Sequence, residues 1–181
     1  STTNLVQDGS FEGFGTVPNG PYLYQNTFGA WTAGGTPGCA AFGLPNGSMQ
    51  PYEGTAAMYI GGNYNPNYVE QTLATTVGAE YRLSLGVNGD PWVSSAKAIV
   101  SGSGGVDLSA TFDAPATPFE WGSVTLSFTA TSAVSTLRIE NVSGGCHIDD
   151  VTCLRQAVPE IELHYTTDSH LTWNDLGSGA N

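Results

Sequence analysis

The chain has 181 residues, enough for one domain with its own hydrophobic core. Sixteen Asp and Glu stand against four Lys and Arg, and the resulting formal net charge of −12 repels phosphate backbones and anionic membrane surfaces. Nucleic acid is therefore not expected as a partner. Membrane insertion is not expected either, because the sequence has no apolar run of about 18 residues.

The exterior is predicted to be neutral and polar. Charged residues make up only 11% of the chain, so side chains such as Asn, Thr, Ser, Gln and Tyr must cover most of the surface. Such surfaces suit extracellular or virion proteins and ligands rich in hydroxyl groups. We therefore expect an extracellular or cell-surface location, with a virion as the alternative.

The pattern of apolar residues predicts an all-β fold. Short apolar runs are separated by Gly, Pro and Asn, and no long stretch repeats apolar residues with a helical period. The expected architecture is a jelly-roll β-sandwich of two antiparallel sheets. Ten strands are predicted, at 4–7, 30–33, 56–60, 68–74, 81–88, 95–101, 106–112, 120–129, 136–141 and 147–154.

Two of these strands alternate clearly. The odd-numbered residues of 81–87 are apolar, and so are the even-numbered residues of 124–128. Successive side chains of a strand point to opposite faces, so each segment should bury one face. The Ser and Thr residues that alternate with Val124, Leu126 and Phe128 predict a solvated outer sheet surface.

The sandwich is predicted to occupy residues 1–156, followed by a C-terminal extension at 157–176. In the extension, a strand from Pro159 to Tyr165 precedes a turn and a returning strand that ends at Trp173. The segment 166–173 has the spacing of an Asp-box hairpin, with His170 where that pattern has Gly. Residues 177–181 are expected to be a disordered tail. The extension is a candidate for contacts with a protein partner or a second copy of the chain.

Three cysteines leave the disulfide state open. Cys146 and Cys153 are seven residues apart, or roughly 23 Å along one strand, so they cannot pair with each other. Cys39 and Cys146 both lie in Gly-rich loops and are the candidate disulfide, while three buried thiols are the alternative. No zinc-ligand spacing is present.

Two segments near opposite ends of the chain carry carboxylates beside short strands. Residues 4–12 read Asn-Leu-Val-Gln-Asp-Gly-Ser-Phe-Glu, and residues 146–154 read Cys-His-Ile-Asp-Asp-Val-Thr-Cys-Leu. In many extracellular β-sandwiches the first and last strands are neighbours, so Glu12 and Asp149 or Asp150 should meet and hold one calcium ion as a clasp. Asp149 and Asp150 alternate across the strand, so only one of them can take part. The alternative is that these carboxylates cap turns or face solvent.

These segments, together with Trp31, residues 69–78, Gly89-Asp-Pro91 and Trp121, resemble the galactose-binding-like β-sandwich family. The match is nearest to its choice-of-anchor and plant cell-wall domain branch, and it covers about residues 4–154. The resemblance implies a jelly-roll fold, often a carbohydrate-binding module, with a structural calcium ion. The implied ligands are the Ser10 carbonyl, Glu12, Glu53, the Ala56 carbonyl and Asp150. It also implies that Trp31 and Trp121 are packed in the core.

Catalysis is not expected. Glycoside hydrolysis needs two carboxylates that face each other across a cleft, and the obvious acids are already assigned to the clasp. His147, His164 and His170 all fall near the end of the chain, with no nucleophile motif. His147 is interpreted as a surface strand residue. No cofactor is expected beyond the structural calcium.

Binding of a saccharide is the favoured function, because sugars stack their C–H faces on aromatic rings. Four aromatic residues in loops beside amides are the candidate ligand platform: Trp92, Tyr22, Tyr24 and Tyr64. The alternative for each is packing of its loop onto the sandwich. We therefore predict a non-catalytic, calcium-stabilised module that binds a polysaccharide or glycan. The second hypothesis is a structural or attachment protein of a virion or bacterial surface.

Overall fold

A computed structural model describes residues 3–14, 22–24, 27–35, 40–43, 50–61, 67–89, 94–117 and 120–157. Within these ranges the regular elements are β-strands and one 3-10 turn, Glu12–Phe14. The strands are β1 (Tyr22–Tyr24), β2 (Thr27–Phe28), β3 (Trp31–Gly34), β4 (Ala40–Gly43), β5 (Ala56–Ile60), β6 (Tyr68–Ala74), β7 (Glu80–Gly89), β8 (Ser94–Gly102), β9 (Gly105–Ala114), β10 (Gly122–Thr129), β11 (Val134–Ser143) and β12 (Cys146–Arg155). No helix in the described ranges is long and apolar enough to cross a bilayer.

The strands form two six-stranded antiparallel sheets. Sheet A has the order β1-β4-β5-β12-β7-β10, and sheet B has the order β2-β3-β6-β11-β8-β9. The predicted all-β sandwich of two antiparallel sheets is therefore confirmed. Sequence patterns missed β1, β2 and β4, which have two to four residues each. The predicted C-terminal strand-turn-strand and the tail lie outside the described residues.

The strand predicted at 4–7 is wrong. This segment forms only one isolated bridge, between Asn4 and Leu154, although it does lie beside the last strand as expected. The Asn4 side chain accepts hydrogen bonds from the backbone N–H groups of Val6 and Cys153, where a regular strand would use its carbonyls. Asp8 and Phe11 then adopt left-handed backbone conformations, with φ of 50° and 56°, which interrupt the extended path although the Gly9 carbonyl still accepts the Val151 N–H.

The core lies between the two sheets and contains the residues that alternation predicted. Tyr81, Leu83, Leu85 and Val87 are all at most 2% exposed. Trp31 is fully buried, as expected, and its indole N–H donates to the Asp8 carbonyl at 3.0 Å. On β10 the Ser and Thr residues are exposed, which confirms the predicted polar outer face.

Both cysteines of β12 are buried, and they are not joined to each other. Burial raises the pKa of the Cys153 thiol to about 12, so this thiol is protonated and unreactive at neutral pH. Cys39 lies outside the described residues, so its pairing with Cys146 stays a prediction.

Several loops leave sheet A at one end. Ile60 at the end of β5 and Gly89 at the end of β7 both pair with Cys146, the first residue of β12. β10 also begins at this end, because Gly122 pairs with Val87. The segments that follow β5 and β7 and precede β10 therefore start or finish at the same end of sheet A.

Candidate functional site

An exposed aromatic pair lies on the outer face of sheet A. The rings of Tyr52 and Trp121 are 5.7 Å apart between centroids and tilted by 54°. Tyr52 is 47% exposed, and the half-buried Trp121 donates its indole N–H to the Gln50 carbonyl at 2.9 Å. A contiguous exposed aromatic surface of this kind is typical of a ligand site.

Gly86 allows Tyr52 to lie against the sheet. A Cβ atom at this position would stand 2.9 Å from Cγ of Tyr52, closer than real Cβ contacts allow. Glycine inside a strand often marks such a close approach. The position of the Tyr52 ring therefore depends on the absence of a side chain in the middle of β7.

The expectation that Trp121 is a core residue is wrong. It immediately precedes β10, where the inward residues are even-numbered, so the alternation places Trp121 on the outer side with Ser123. Its ring contacts Tyr52 there and is not part of the buried cluster between the sheets. The sequence pattern alone was sufficient to indicate this orientation.

A row of three side chains crosses sheet A next to the aromatic pair: Asn88 and His147 are buried and Tyr59 is half-buried. His147 pairs with Asn88 on β7 and with Tyr59 on β5. Its imidazole lies 4.9 Å from the Tyr59 ring between centroids. The Asn88 amide donates to the Glu120 carbonyl at 2.6 Å, which ties this row to the residue before Trp121.

His147 is only 2% exposed, so its interpretation as a surface residue is wrong. It does point to the outer face of sheet A, but other residues cover that face at this end. Burial lowers the pKa of His147 to about 3, and the imidazole is therefore neutral at physiological pH.

Asp149 holds the segment that carries Tyr52. Its side chain is fully buried and accepts hydrogen bonds from the backbone N–H groups of Glu53 at 3.0 Å and Asp150 at 2.7 Å. Burial raises the pKa of Asp149 to about 7, against the lowering effect of backbone hydrogen bonds from Glu53, Asp150 and Tyr52. The simple alternation of Asp149 and Asp150 fails, because β12 has a register shift between Asp149 and Thr152 and Asp150 has a φ of 47°.

Glu12 holds the same segment from the other side. Its carboxylate accepts hydrogen bonds from the Thr55 N–H at 2.6 Å, the Thr55 hydroxyl at 2.6 Å and the Ala56 N–H at 2.9 Å. Partial burial alone would raise its pKa, but the bonds from Thr55 and Ala56 outweigh this and lower the pKa. The two chain ends thus clasp residues 53–56 through one carboxylate each.

The oxygen donors around this clasp are of the type that calcium binds. Oδ2 of Asp8 is buried and has no hydrogen-bond partner in the described part of the chain, and it lies beside Gly13, the residue after Glu12. No group of three or more His, Cys, Asp or Glu side chains converges among the described residues. A calcium ion there would need backbone carbonyls, as the predicted set with Ser10 and Ala56 provides.

The four predicted platform residues remain untested. Tyr22 and Tyr24 lie on β1, the edge strand of sheet A, and only their backbone is described. Trp92 and Tyr64 lie outside the described residues; in the sequence they follow β7 and β5, whose last residues flank Cys146 of β12 on either side. Sequence reasoning did not identify Tyr52 as a candidate ligand residue. Two features could have indicated it: an aromatic residue in the turn Pro-Tyr-Glu-Gly, and Gly86 inside a strand, where a ring can lie against the sheet.

The sequence matches no known family model and no curated protein. Solved structures share the fold. The family 61 carbohydrate-binding module TmCBM61, in complex with β-1,4-galactotriose, has a TM-score of 0.64 at 17% identity, covering 85% of this chain and 99% of that one. The CBM22-1 xylan-binding domain of Xyn10C from Paenibacillus barcinonensis has a TM-score of 0.60 at 16% identity, covering 87% and 98%.

A Stig cyclase, Fisc from Fischerella sp. TAU, is equally similar. Its structure, in complex with (3Z)-3-(1-methyl-2-pyrrolidinylidene)-3H-indole, has a TM-score of 0.65 at 14% identity, covering 87% of this chain and all of that one. The chain therefore has the β-sandwich fold that carbohydrate-binding modules share with at least one enzyme.

Proposed function

We propose that the protein is a non-catalytic carbohydrate-binding module of a cell surface or extracellular matrix, stabilised by a structural calcium ion. The observation that carries the proposal is the exposed Tyr52–Trp121 pair on the outer face of sheet A. Pyranose rings present apolar C–H faces that stack on such rings, and burial of aromatic area supplies much of the binding energy at ligand sites.

The surroundings of the pair favour an uncharged saccharide. The adjoining face of β10 presents Ser123, Thr125 and Ser127, which can exchange hydrogen bonds with sugar hydroxyls. The net charge of −12 disfavours polyanionic glycans. The solved structures of similar fold with β-1,4-galactotriose and of a xylan-binding domain support the same ligand class.

The fold alone does not decide between a binding module and an enzyme, since the Stig cyclase has it too. The non-catalytic part of the proposal rests on the engagement of Asp149. This carboxyl is bound to the backbone of the segment that carries Tyr52, and each of its oxygens accepts a backbone N–H. Because the Asp149 side chain is fully buried, it positions a loop and has no exposed oxygen that could transfer a proton to a bound ligand.

The calcium part of the proposal is supported by the buried, unpartnered Asp8 Oδ2 and by the position of Glu12 at residues 55–56. Of the predicted ligands, we retain Glu12, Asp150 and the carbonyls of Ser10 and Ala56, and we leave out the Glu53 side chain because no three acidic side chains converge among the described residues. Calcium would add rigidity where the two chain ends meet the segment that carries Tyr52.

The test is binding to a broad array of glycans and polysaccharides in calcium-containing buffer. Wild-type protein should bind one class of neutral saccharide saturably. Tyr52→Phe should retain the binding, whereas Tyr52→Ala should weaken it by about tenfold or more because the stacking ring is lost. Trp92→Ala tests the contribution of the predicted loop residue in the same experiment.

A blank array from folded protein would overturn the proposal. It would favour the second hypothesis, a structural or attachment protein of a virion or bacterial surface.

A further inference from the structure

Asn88 is a buried polar residue on the outer face of sheet A. It is 1% exposed and lies on β7 two residues after Gly86, so the two residues face the same side of the sheet. Gly86 receives the ring of Tyr52 on this face. The contacts of Asn88 lead to the second ring of the aromatic pair, Trp121.

The Asn88 amide bridges two backbone carbonyls that precede β10. Its Nδ2 group donates to the Glu120 carbonyl at 2.6 Å and to the Thr117 carbonyl at 3.3 Å. The Glu120 N–H donates to the same Thr117 carbonyl at 3.2 Å. Both hydrogens of one side-chain amide are therefore used to hold Thr117 and Glu120 beside β7.

Trp121 lies between this bridge and the first pair of the β10 ladder. The ladder begins with Gly122 opposite Val87. The next pair in that register would be Trp121 with Asn88, but the ladder stops before it, and the Asn88 side chain binds the Glu120 carbonyl instead. β7 therefore holds the backbone on both sides of Trp121, through Asn88 before it and through Val87 after it.

The position of this backbone determines where the indole lies. The Trp121 indole N–H donates to the Gln50 carbonyl at 2.9 Å, and its ring lies 5.7 Å from the Tyr52 ring between centroids. A donor and acceptor more than about 3.5 Å apart no longer form a hydrogen bond. A backbone shift of about 1 Å at Trp121 is therefore enough to separate the indole from Gln50.

The chemistry of the bridge requires an amide at position 88. Both carbonyl oxygens are acceptors, and an Asn side chain supplies two donors, whereas an Asp carboxylate of the same shape supplies acceptors only. A buried carboxylate would be repelled by the two carbonyls, and an Ala side chain would leave them without this donor. At 1% exposure Asn88 presents almost no surface to a ligand, so it acts on binding through the residues that it holds.

We propose that Asn88 is a positioning residue of the saccharide site: its amide fixes the backbone at Glu120 and thereby the indole of Trp121. The inference rests on the proposed function, although the placement of the indole itself requires no ligand. Removal of the amide should have two effects. The Trp121 indole loses its fixed position in the free protein, and the affinity for the saccharide falls although no side chain that faces the ligand is altered.

The first experiment measures the exchange of indole N–H groups with solvent by ¹⁵N NMR in the free protein. In Asn88→Ala the Trp121 indole should exchange about fivefold faster or more. Asn88→Asp should have at least the same effect, because it adds repulsion to the loss of the donors. The Trp31 indole is the internal control, since it is fully buried, donates to the Asp8 carbonyl and should keep its wild-type rate. Trp121→Phe assigns the Trp121 signal by its disappearance.

Thr75→Val is the matched control variant. The Thr75 hydroxyl is also buried and donates to a backbone carbonyl, that of Ser132, at 2.7 Å. It lies far from the aromatic pair, because the N–H of the next residue, Thr76, donates to Tyr81 at the opposite end of β7 from Asn88. Thr75→Val should lose stability, yet both indole exchange rates and the saccharide affinity should remain those of wild type.

Calorimetric titration with the saccharide that the array selects is the second readout. Asn88→Ala should bind about fivefold more weakly or worse, because part of the binding energy must then reorder the indole. Unchanged Trp121 exchange would overturn the inference whether or not a saccharide binds, and so would equal acceleration in Thr75→Val. Faster exchange with wild-type affinity would overturn it as well, because the fixed indole would then not matter to binding. A blank array from wild-type protein would instead overturn the proposed function, and the exchange rates alone would decide whether Asn88 fixes the indole.

Discussion

Replacing Glu12 by Ala removes the three hydrogen bonds that hold residues 55–56 to the N-terminal turn. A net hydrogen bond contributes about 1 kcal/mol, and the exposure of Glu12 reduces this figure, so the expected loss is about 2 kcal/mol in the free energy of unfolding. For a chain of this size the corresponding fall in melting temperature is about 4–8 °C. Glu12→Gln keeps one acceptor oxygen and should lose about half as much.

The matched control is Glu80→Ala. Glu80 is also exposed, but its side chain accepts no hydrogen bond in the described part of the chain, so its removal should change stability by less than about 0.5 kcal/mol. Urea unfolding at pH 7 in the presence of a chelator measures the three variants without a metal contribution. Equal stability of Glu12→Ala and Glu80→Ala would show that the hydrogen bonds from residues 55–56 to Glu12 do not stabilise the fold.

The pH dependence of the same variant follows from the lowered pKa of Glu12. A carboxyl whose pKa is lower in the folded protein stabilises it above the ordinary pKa of 4.5 and loses that contribution as pH falls through the folded value. The difference between wild type and Glu12→Ala should therefore shrink in acid. A difference that grows below pH 4.5 would contradict the assigned hydrogen bonds.

His147 and calcium give two further predictions. The pKa of His147 falls from 6.5 to about 3 on folding, so its contribution to stability is present above about pH 6.5 and is lost towards pH 3. Between pH 7 and pH 5 this loss amounts to about 2 kcal/mol. In urea unfolding, the free energy of unfolding of wild-type protein should therefore fall by that much more than that of His147→Leu. Equal losses would contradict a buried neutral imidazole. Millimolar calcium should raise the melting temperature, and Asp150→Ala should abolish the rise. A melting temperature that does not respond to calcium or to chelation would contradict the calcium site.

The alternation of apolar and polar residues along the strands was sufficient to predict much of the fold from the sequence. The odd-numbered residues of 81–87 are buried, and the Ser and Thr face of β10 is exposed, because a period of two has only one arrangement with a buried face. The same rule places Trp121 outward, since it precedes Ser123 by two residues. The family resemblance led to the opposite expectation.

Other features depend on backbone irregularities and loops that a periodic pattern does not encode. The register shift after Asp149 and the left-handed Asp150 break the alternation that was assumed for β12. His147 is on the outer face as a regular strand would have it, but it is buried there and lies against the Tyr59 ring of β5. Tyr52 was not predicted as a ligand residue, because the position of its ring depends on Gly86, which is distant in sequence.

The most direct test of the proposed site is a calorimetric titration of wild type and Gly86→Ala with the saccharide that the array selects. The added methyl group would occupy the place of the Tyr52 ring and displace it, yet it removes no aromatic, acidic or hydroxyl group. The account predicts a folded protein whose affinity is at least about tenfold lower than that of wild type. Wild-type affinity in Gly86→Ala would contradict it, because the saccharide would then bind without Tyr52 in its observed position.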